Sequence, residues 1–408
     1  MASISAILPL CLGLFLLSQV STAQFSFGES SRGFRGEQAR QCRFEHLAAL
    51  EATEQQRSEA GFTEYYNTDA RNEFGCAGVN VRRWVVESKG LVLPTYAGAH
   101  KLVYIVQGRG VLGWHFQAAR KHSSRSFFLA GRKAQQHYSY QAEQQSSNQN
   151  VFAGFNPEVL AEALGVSRQT AIRLQGLNDQ RGAIIRVEHG LQALQPSFQR
   201  EPTREEEQGQ VYVPTQEQQQ NGLDEISCSF KLRKNINKPQ STDIFNPRGG
   251  RITRANSQNF PILNIIQMSA TRTVLQNNAL LTPHWTVNAH TVMYVTAGQG
   301  RIQVVDHRGR SVFDGELHQD QILLIPQNFA VLVKARREGF AWVSFKTNHN
   351  AIDSQIAGKA SILRALPVDV VANAYRLSRE ESRSLKFNRA DEMAVFAPRQ
   401  EQQSYADQ

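Results

Sequence analysis

The feature that most constrains this chain is an internal duplication. The segment FNPEVLAEALGVSRQTAIRLQGLN, residues 155–178, returns as LPVDVVANAYRLSREESRSLKFN, residues 366–388. Setting Ser167 on Ser378 places Leu160 on Val371, Ala163 on Ala374 and Leu174 on Leu385. Each copy reads as two short helices. Asn156-Pro157 offers an N-cap and a first-turn proline, and Ser378 with Glu381 reads as a capping box. A second pair also matches: LVLPTYAGAHKLVYIVQGRGVLGW (91–114) and ALLTPHWTVNAHTVMYVTAGQGRIQVV (279–305). Each runs proline, polar turn, alternating strand, glycine, strand. The chain is therefore two copies of one unit, a β-rich part followed by a helical part.

A length of 408 residues suits two domains of this kind, and 41% hydrophobic with 20% charged residues is globular composition. From Pro261 to Thr347 the second copy shows about eight alternating segments, among them RIQVV, SVF, QILLIP, AVLVKA and FAWVSF. Asp306 to Gly309 reads as a turn between two of them, and GQG at 298–300 as another turn. This pattern predicts an antiparallel sandwich or barrel. The first copy is shorter. After Trp114-His115-Phe116 comes QAARKHSSRSFFLAG, then a low-complexity run. Nothing between Gln117 and Ser126 reads as a strand, so the first barrel is expected to lack roughly four strands. The Gln-rich stretches Gln135–Asn150 and Gln199–Gly222 hold few large apolar residues and are expected to be mobile loops.

The amino terminus reads as a secretory signal. An apolar run from Ile7 to Leu17 precedes Ser21-Thr22-Ala23, which predicts cleavage after Ala23 and a mature chain starting at Gln24. The run is too short to span a bilayer comfortably. No membrane association is expected after cleavage. Secretion implies a compartment that permits disulfides. Cys11 leaves with the signal, and Cys42, Cys76 and Cys228 remain. Three is odd, so one thiol is free or pairs with another molecule. The net charge of +9 is spread among acidic residues with no run of five like charges. A solvated surface explains it better than a nucleic-acid partner.

The proline–strand–glycine pattern followed by DQILLIPQNFAVLV resembles the cupin barrel. Metal-binding cupins bring three imidazoles and a carboxylate together inside the barrel, leaving an open position on the ion. The matching positions here are His284, Thr286, Thr291 and Val331. In the first copy Thr95 and Ala97 stand at the two His positions, and the Glu position falls on Lys101 or Leu102. No metal and no cofactor are expected, and the cupin oxidase chemistry loses its centre. No nucleophile elbow, phosphate loop, dinucleotide fingerprint or paired-cysteine motif is present. LAEALGVSRQTAIRLQ (160–175) has the look of a helix-turn-helix, but its copy carries Arg376 where the turn glycine would stand, and a secretion signal precedes it.

Two cupin units, a signal peptide and a Gln/Glu-rich loop ending in NGLDEISCSFKLRKNI resemble the legumin-type (11S) seed storage globulins. NFPILNIIQMSA, IAGKASILRALPVDVVANAYRLSREE and NDQRGAIIRVEHGL resemble the cereal glutelin branch in particular. The resemblance implies a bicupin fold, mainly β, with part of the first barrel missing. It implies a seed storage protein and not an enzyme, with transit through the endoplasmic reticulum to the storage vacuole. It also implies a vacuolar processing protease cutting between Asn221 and Gly222, and self-association into trimers and hexamers, which the shortened first barrel puts in question. The flanks Gln-Gln-Gln and Leu-Asp-Glu do not alternate as a hairpin's would, which favours the cut on local grounds. By the family's plan Cys42 pairs with Cys76, and Cys228 has lost its partner with the missing strands. Lys and Arg slightly outnumber Asp and Glu before Gly222, so the first chain is not acidic as the family's is. The expected organisation is a signal at 1–23, a first unit at 24–198, a linker at 199–221, a second unit at 222–397 and a polar tail at 398–408. A secreted cupin enzyme or a small-ligand-binding protein is the alternative.

Overall fold

The computed structural model describes residues 44–66, 73–97, 100–119, 122–132, 135–139, 151–177, 179–188, 233–389 and 391–398. The expected signal, the 199–221 linker and residues 399–408 lie outside them, and the described residues belong to one compact unit, Phe44–Gln408. None of their helices is long and apolar enough to cross a membrane.

The first copy opens with β1 (Glu54–Ser58), β2 (Gly61–Tyr65), the short helix α1 (Glu73–Ala77) and β3 (Asn80–Val86). It continues with β4 (Gly90–Ala97), β5 (Lys101–Tyr104), β6 (Arg109–Ala119), β7 (His122–Arg132) and β8 (Gln135–Ser139). Two helices follow, α2 (Pro157–Leu164) and α3 (Arg168–Gln175), then β9 (Ile184–Arg186). The second copy begins with β10 (Ile244–Asn246), β11 (Gly250–Ala255), α4 (Ile262–Ile266), β12 (Ser269–Leu275) and β13 (Leu280–Thr286). Next come β14 (Thr291–Val305), β15 (Ser311–Leu317), β16 (Ile322–Ile325), β17 (Ala330–Lys346) and β18 (Asp353–Gln355). Helices α5 (Ile362–Ala365), α6 (Val368–Tyr375) and α7 (Arg379–Phe387) lead to β19 (Val395–Phe396).

The duplication is legible in detail. β2 and β11 each start on a glycine, Gly61 at φ 144° and Gly250 at φ 128°. A Cβ on either would lie 2.0 Å from a carbonyl oxygen of the next strand, that of Val85 or Val274. Only glycine permits that approach. β4 and β13 each carry a proline, Pro94 and Pro283, inside a break in register, between Val92 and Thr95 and between Leu281 and His284. Proline has no N–H to give the ladder, so the break belongs there. The helical hairpins match residue for residue. Ser167 and Ser378 cap the second helix of each, and Ser378 with Glu381 closes a full capping box. Gly165 and Arg376 both end the first helix in the left-handed conformation, at φ 64° and 55°.

Two expectations for the second copy need correction. The second copy holds fewer and longer strands than the alternating segments implied. RIQVV is the end of β14, and AVLVKA and FAWVSF are two parts of β17. GQG is not a turn but a bulge within β14, where register shifts occur between Val295 and Ala297 and between Gly298 and Gly300. A Cβ on Gly298 would lie 2.2 Å from the oxygen of Gly339 in β17. The two long strands therefore bend together at facing glycines.

The first copy is also richer in strands than its sequence suggested. β6 runs through Gln117 to Ala119 and pairs with β7, which itself joins β4. β8, from the Gln-rich run, lies between β3 and β5. Those are the pairings that β17 alone makes to β12, β13 and β14. So β7 and β8 replace β17, and among the described residues the first copy lacks counterparts of β15, β16 and β18. The physical reason is that ladder bonds are made by backbone, so Gln and Ser serve where an edge would otherwise stay unpaired. The first copy divides into a sheet β1-β2-β3-β8-β5 and a sheet β6-β7-β4-β9, whereas the second forms one ten-stranded sheet.

The second barrel's core is filled by Val295, Ile302, Val304, Leu317, Leu323 and Val333, all at 0–1% exposure. A second cluster joins the copies: Tyr66, Phe74, Ala77 and Val81 of the first pack with Tyr294, Leu324, Val343 and Phe345 of the second. This is why β17 is buried on both faces toward Lys346 and does not alternate there.

Candidate functional site

The interior of the second barrel holds a cavity of about 50 Å³. His284, Thr286, Thr291 and Val331, the four positions that match the cupin metal ligands, all line it. β13 brings the first two and the starts of β14 and β17 the others, so alternation along three strands aims them inward. Between them they provide one imidazole, two hydroxyls and a hydrocarbon. No cluster of three His, Cys, Asp or Glu side chains suited to an ion occurs among the described residues.

The charged residues of the cavity were not anticipated. Lys346, the last residue of β17, is 5% exposed and forms an ion pair with Asp353 of β18. Thr286 Oγ1 donates to Asp353 Oδ1 at 2.8 Å and accepts from Lys346 Nζ at 3.2 Å. Burial alone would raise the Asp353 carboxyl, but the Lys346 ammonium beside it, with His284 and the hydrogen bonds, holds it at about 2. Burial pushes the Lys346 ammonium down, and Asp353 opposes that shift. Each ion of the pair is the other's main compensation for burial. His284 Nδ1 lies 2.8 Å from the oxygen of Thr282. A carbonyl only accepts, so Nδ1 carries the proton and Nε2 of the neutral ring is an acceptor. Burial pushes the imidazole below its usual range, with Asp353 opposing. Arg254, Gln355, Thr271, Thr273 and Ser344 complete the polar lining, against an apolar wall that includes Met293, Val333 and Trp342. One signal in the sequence pointed here. Trp342, Ser344 and Lys346 are alternate residues of one strand, and a lysine in inward phase with a tryptophan must be paired.

The other expected site residues divide simply. Cys76 lies on α1 and is disulfide-bonded. Ala23, Gln24, Cys42, Asn221, Gly222 and Cys228 lie outside the described residues. Of the first copy's matching positions, Thr95 and Ala97 sit in β4, while Lys101 of β5 is buried and Leu102 half-buried.

Residues 234–383 match the family model described as Cupin. Glutelin type-A 1 of Oryza sativa subsp. japonica is 42% identical, with 97% of this chain and 96% of that protein covered. The chain belongs to the 11S seed storage globulins. Cocosin 1 of Cocos nucifera is 41% identical to this 11S globulin over 98% of the chain and 99% of its own length. The crystal structure of the coconut allergen cocosin superposes with a TM-score of 0.75 at 40% identity, covering 88% of this chain and all of that one. The bicupin fold and the storage role follow from this membership. The alignment to the glutelin runs over 483 positions while this 11S globulin has 408 residues, so the relative carries residues that are missing here. That agrees with a shortened first barrel.

Proposed function

We propose that this 11S globulin is a nitrogen and carbon reserve without catalytic activity, made in the endoplasmic reticulum and laid down in the storage vacuole. The observation that carries the reading is the barrel interior. Where metal-binding cupins need three imidazoles and a carboxylate, this chain has His284, Thr286, Thr291 and Val331, and an ammonium from Lys346 stands in the same cavity. A buried cation repels a divalent ion, so the residues present do not fit a metal. What remains for selection is bulk composition, rich in Gln, Asn and Arg.

The proposal includes signal cleavage after Ala23, and cutting between Asn221 and Gly222 by a vacuolar protease. It keeps a first unit at 24–198, a linker at 199–221 and a second unit at 222–397. Cys76 is bonded, and we pair it with Cys42, leaving Cys228 free or bridging to another molecule. Self-association is supported by the helical hairpins. Val159, Leu164 and Leu174 on one and Val370, Tyr375 and Leu385 on the other are exposed, at 39–65%. Exposed apolar side chains on both hairpins suit contact with further copies of the chain.

Electrophoresis of the protein from its native tissue, with and without reductant and with amino-terminal sequencing of each band, tests the reading. A fragment starting at Gly222 that separates without reductant is the expected result. A single uncut band near full length defeats the processing step and the vacuolar route with it.

A further inference from the structure

The barrel cavity carries an imbalance that the storage role does not use. Lys346 is matched by Asp353, but Arg254 lines the same cavity with no carboxylate on its guanidinium among the described residues. Its backbone is engaged, the N–H donating to Asp243 Oδ2 at 2.6 Å and the carbonyl oxygen accepting from Asn259 Nδ2 at 3.1 Å. Its charge is felt by both His284 and Lys346. The cavity therefore holds one positive charge in excess. Two further lining side chains are buried with polar atoms unbonded, Oγ1 of Thr291, 6% exposed, and Oε1 of Gln355, 9% exposed. Thr291 has a hydroxyl to donate, Gln355 an oxygen to accept with, and His284 Nε2 is a second acceptor. Native interiors seldom leave such groups unsatisfied, and a built site with orphaned donor and acceptor is a place for a ligand.

We propose that the cavity binds a small 2-hydroxycarboxylate. The carboxylate answers Arg254 and accepts from the Thr291 hydroxyl. The ligand's own hydroxyl donates to Gln355 Oε1 or His284 Nε2. Its hydrocarbon end lies against Met293, Val333 and Trp342. A volume of about 50 Å³ admits a molecule of about two to four carbons, since one water needs about 10–15 Å³ on the same measure. Binding is stoichiometric, one ligand per chain, and independent of cleavage at Asn221-Gly222.

Titration calorimetry of the full chain with sodium lactate, sodium propionate and sodium chloride at equal ionic strength tests this. Lactate and propionate share size and charge and differ by the hydroxyl. Lactate is expected to bind saturably at one site, at least about tenfold more tightly than propionate, with no saturable heat from chloride. Thr291→Val keeps the side-chain shape and removes the donor, and should weaken both acids about tenfold or more. Gln355→Leu and His284→Phe together should remove the preference for lactate. Arg254→Met gives a second route to the same loss if Thr291→Val does not fold. Absence of saturable lactate binding overturns the proposal. So does equal affinity for lactate and propionate, and so does binding that Thr291→Val and Arg254→Met both leave unchanged.

Discussion

Leu50 and Ile322 exchange a full pair of backbone hydrogen bonds, Leu50 N to Ile322 O at 2.8 Å and Ile322 N to Leu50 O at 2.9 Å. Residues of the first copy thereby become a strap across the second barrel. Leu47 N donates to Val312 O at 2.9 Å, and its side chain enters the barrel core. Phe44 packs edge-on to Phe329 at 6.3 Å and tilted to His290 at 6.0 Å. Leu47 is the strap's fully buried side chain, 6% exposed, so Leu47→Ala should destabilise the chain by about 2–5 kcal/mol. Urea unfolding followed by tryptophan fluorescence would show this, and a midpoint shift equal to that of an exposed leucine variant would contradict it.

The Lys346–Asp353 pair is worth more as a pair than either ion is alone. Lys346→Met leaves Asp353 charged and buried, at an expected cost of about 3–5 kcal/mol. Lys346→Met combined with Asp353→Leu removes both charges and should recover most of that loss. A double variant no more stable than the single one would mean that the ion pair itself, and not the abandoned charge, supplies the stability.

Acid should weaken the folded state through two histidines. Burial lowers His284, opposed by Asp353, and burial lowers His290, whose Nδ1 accepts from Gln327 N at 3.2 Å. In the unfolded chain both titrate near about 6.5. Below that pH the unfolded chain binds protons that the folded chain refuses, so stability is full above pH ~6.5 and falls as pH drops toward the folded values. Urea midpoints at pH 7.5, 6.5 and 5.5 read this out. His290→Asn keeps an acceptor for Gln327 and should flatten the decline. An unchanged slope would remove His290 from the account.

Gly250 should be the least replaceable glycine of the second barrel. Gly250→Ala sets a Cβ against the Val274 carbonyl at φ 128°, and a loss above about 3 kcal/mol is expected. Gly309 also has a positive φ, 79°, but open space around it. Gly309→Ala should cost about 1–2 kcal/mol, the conformational penalty alone. Thermal unfolding of the two variants side by side separates clash from backbone strain.

The exposed hairpin faces make a prediction about assembly. Val159→Glu with Val370→Glu should lower the sedimentation coefficient of the assembled protein while leaving the circular dichroism spectrum of the chain unchanged. Equal assembly in wild type and variant would place the contact elsewhere.

What the sequence determined by itself was whatever depends on neighbours along the chain. The helical hairpins are one example, because Asn156, Ser167 and Ser378 bond to backbone groups two or three residues away. The repeat and the cupin positions are another, because a period of two sends His284 and Thr286 to one side wherever the strand lies. Tertiary structure decided what depends on distant partners. Gln135–Ser139 reads as a loop by composition and becomes a strand because β3 and β5 each need a neighbour. Nor did residue type announce Lys346 as an interior residue. It is interior because it lies in phase with Trp342 and Ser344 on the cavity-facing side of β17, and because Asp353 arrives from the next strand to meet it. Backbone pairing and charge compensation are satisfied only in the assembled chain, and for that reason only the fold revealed them.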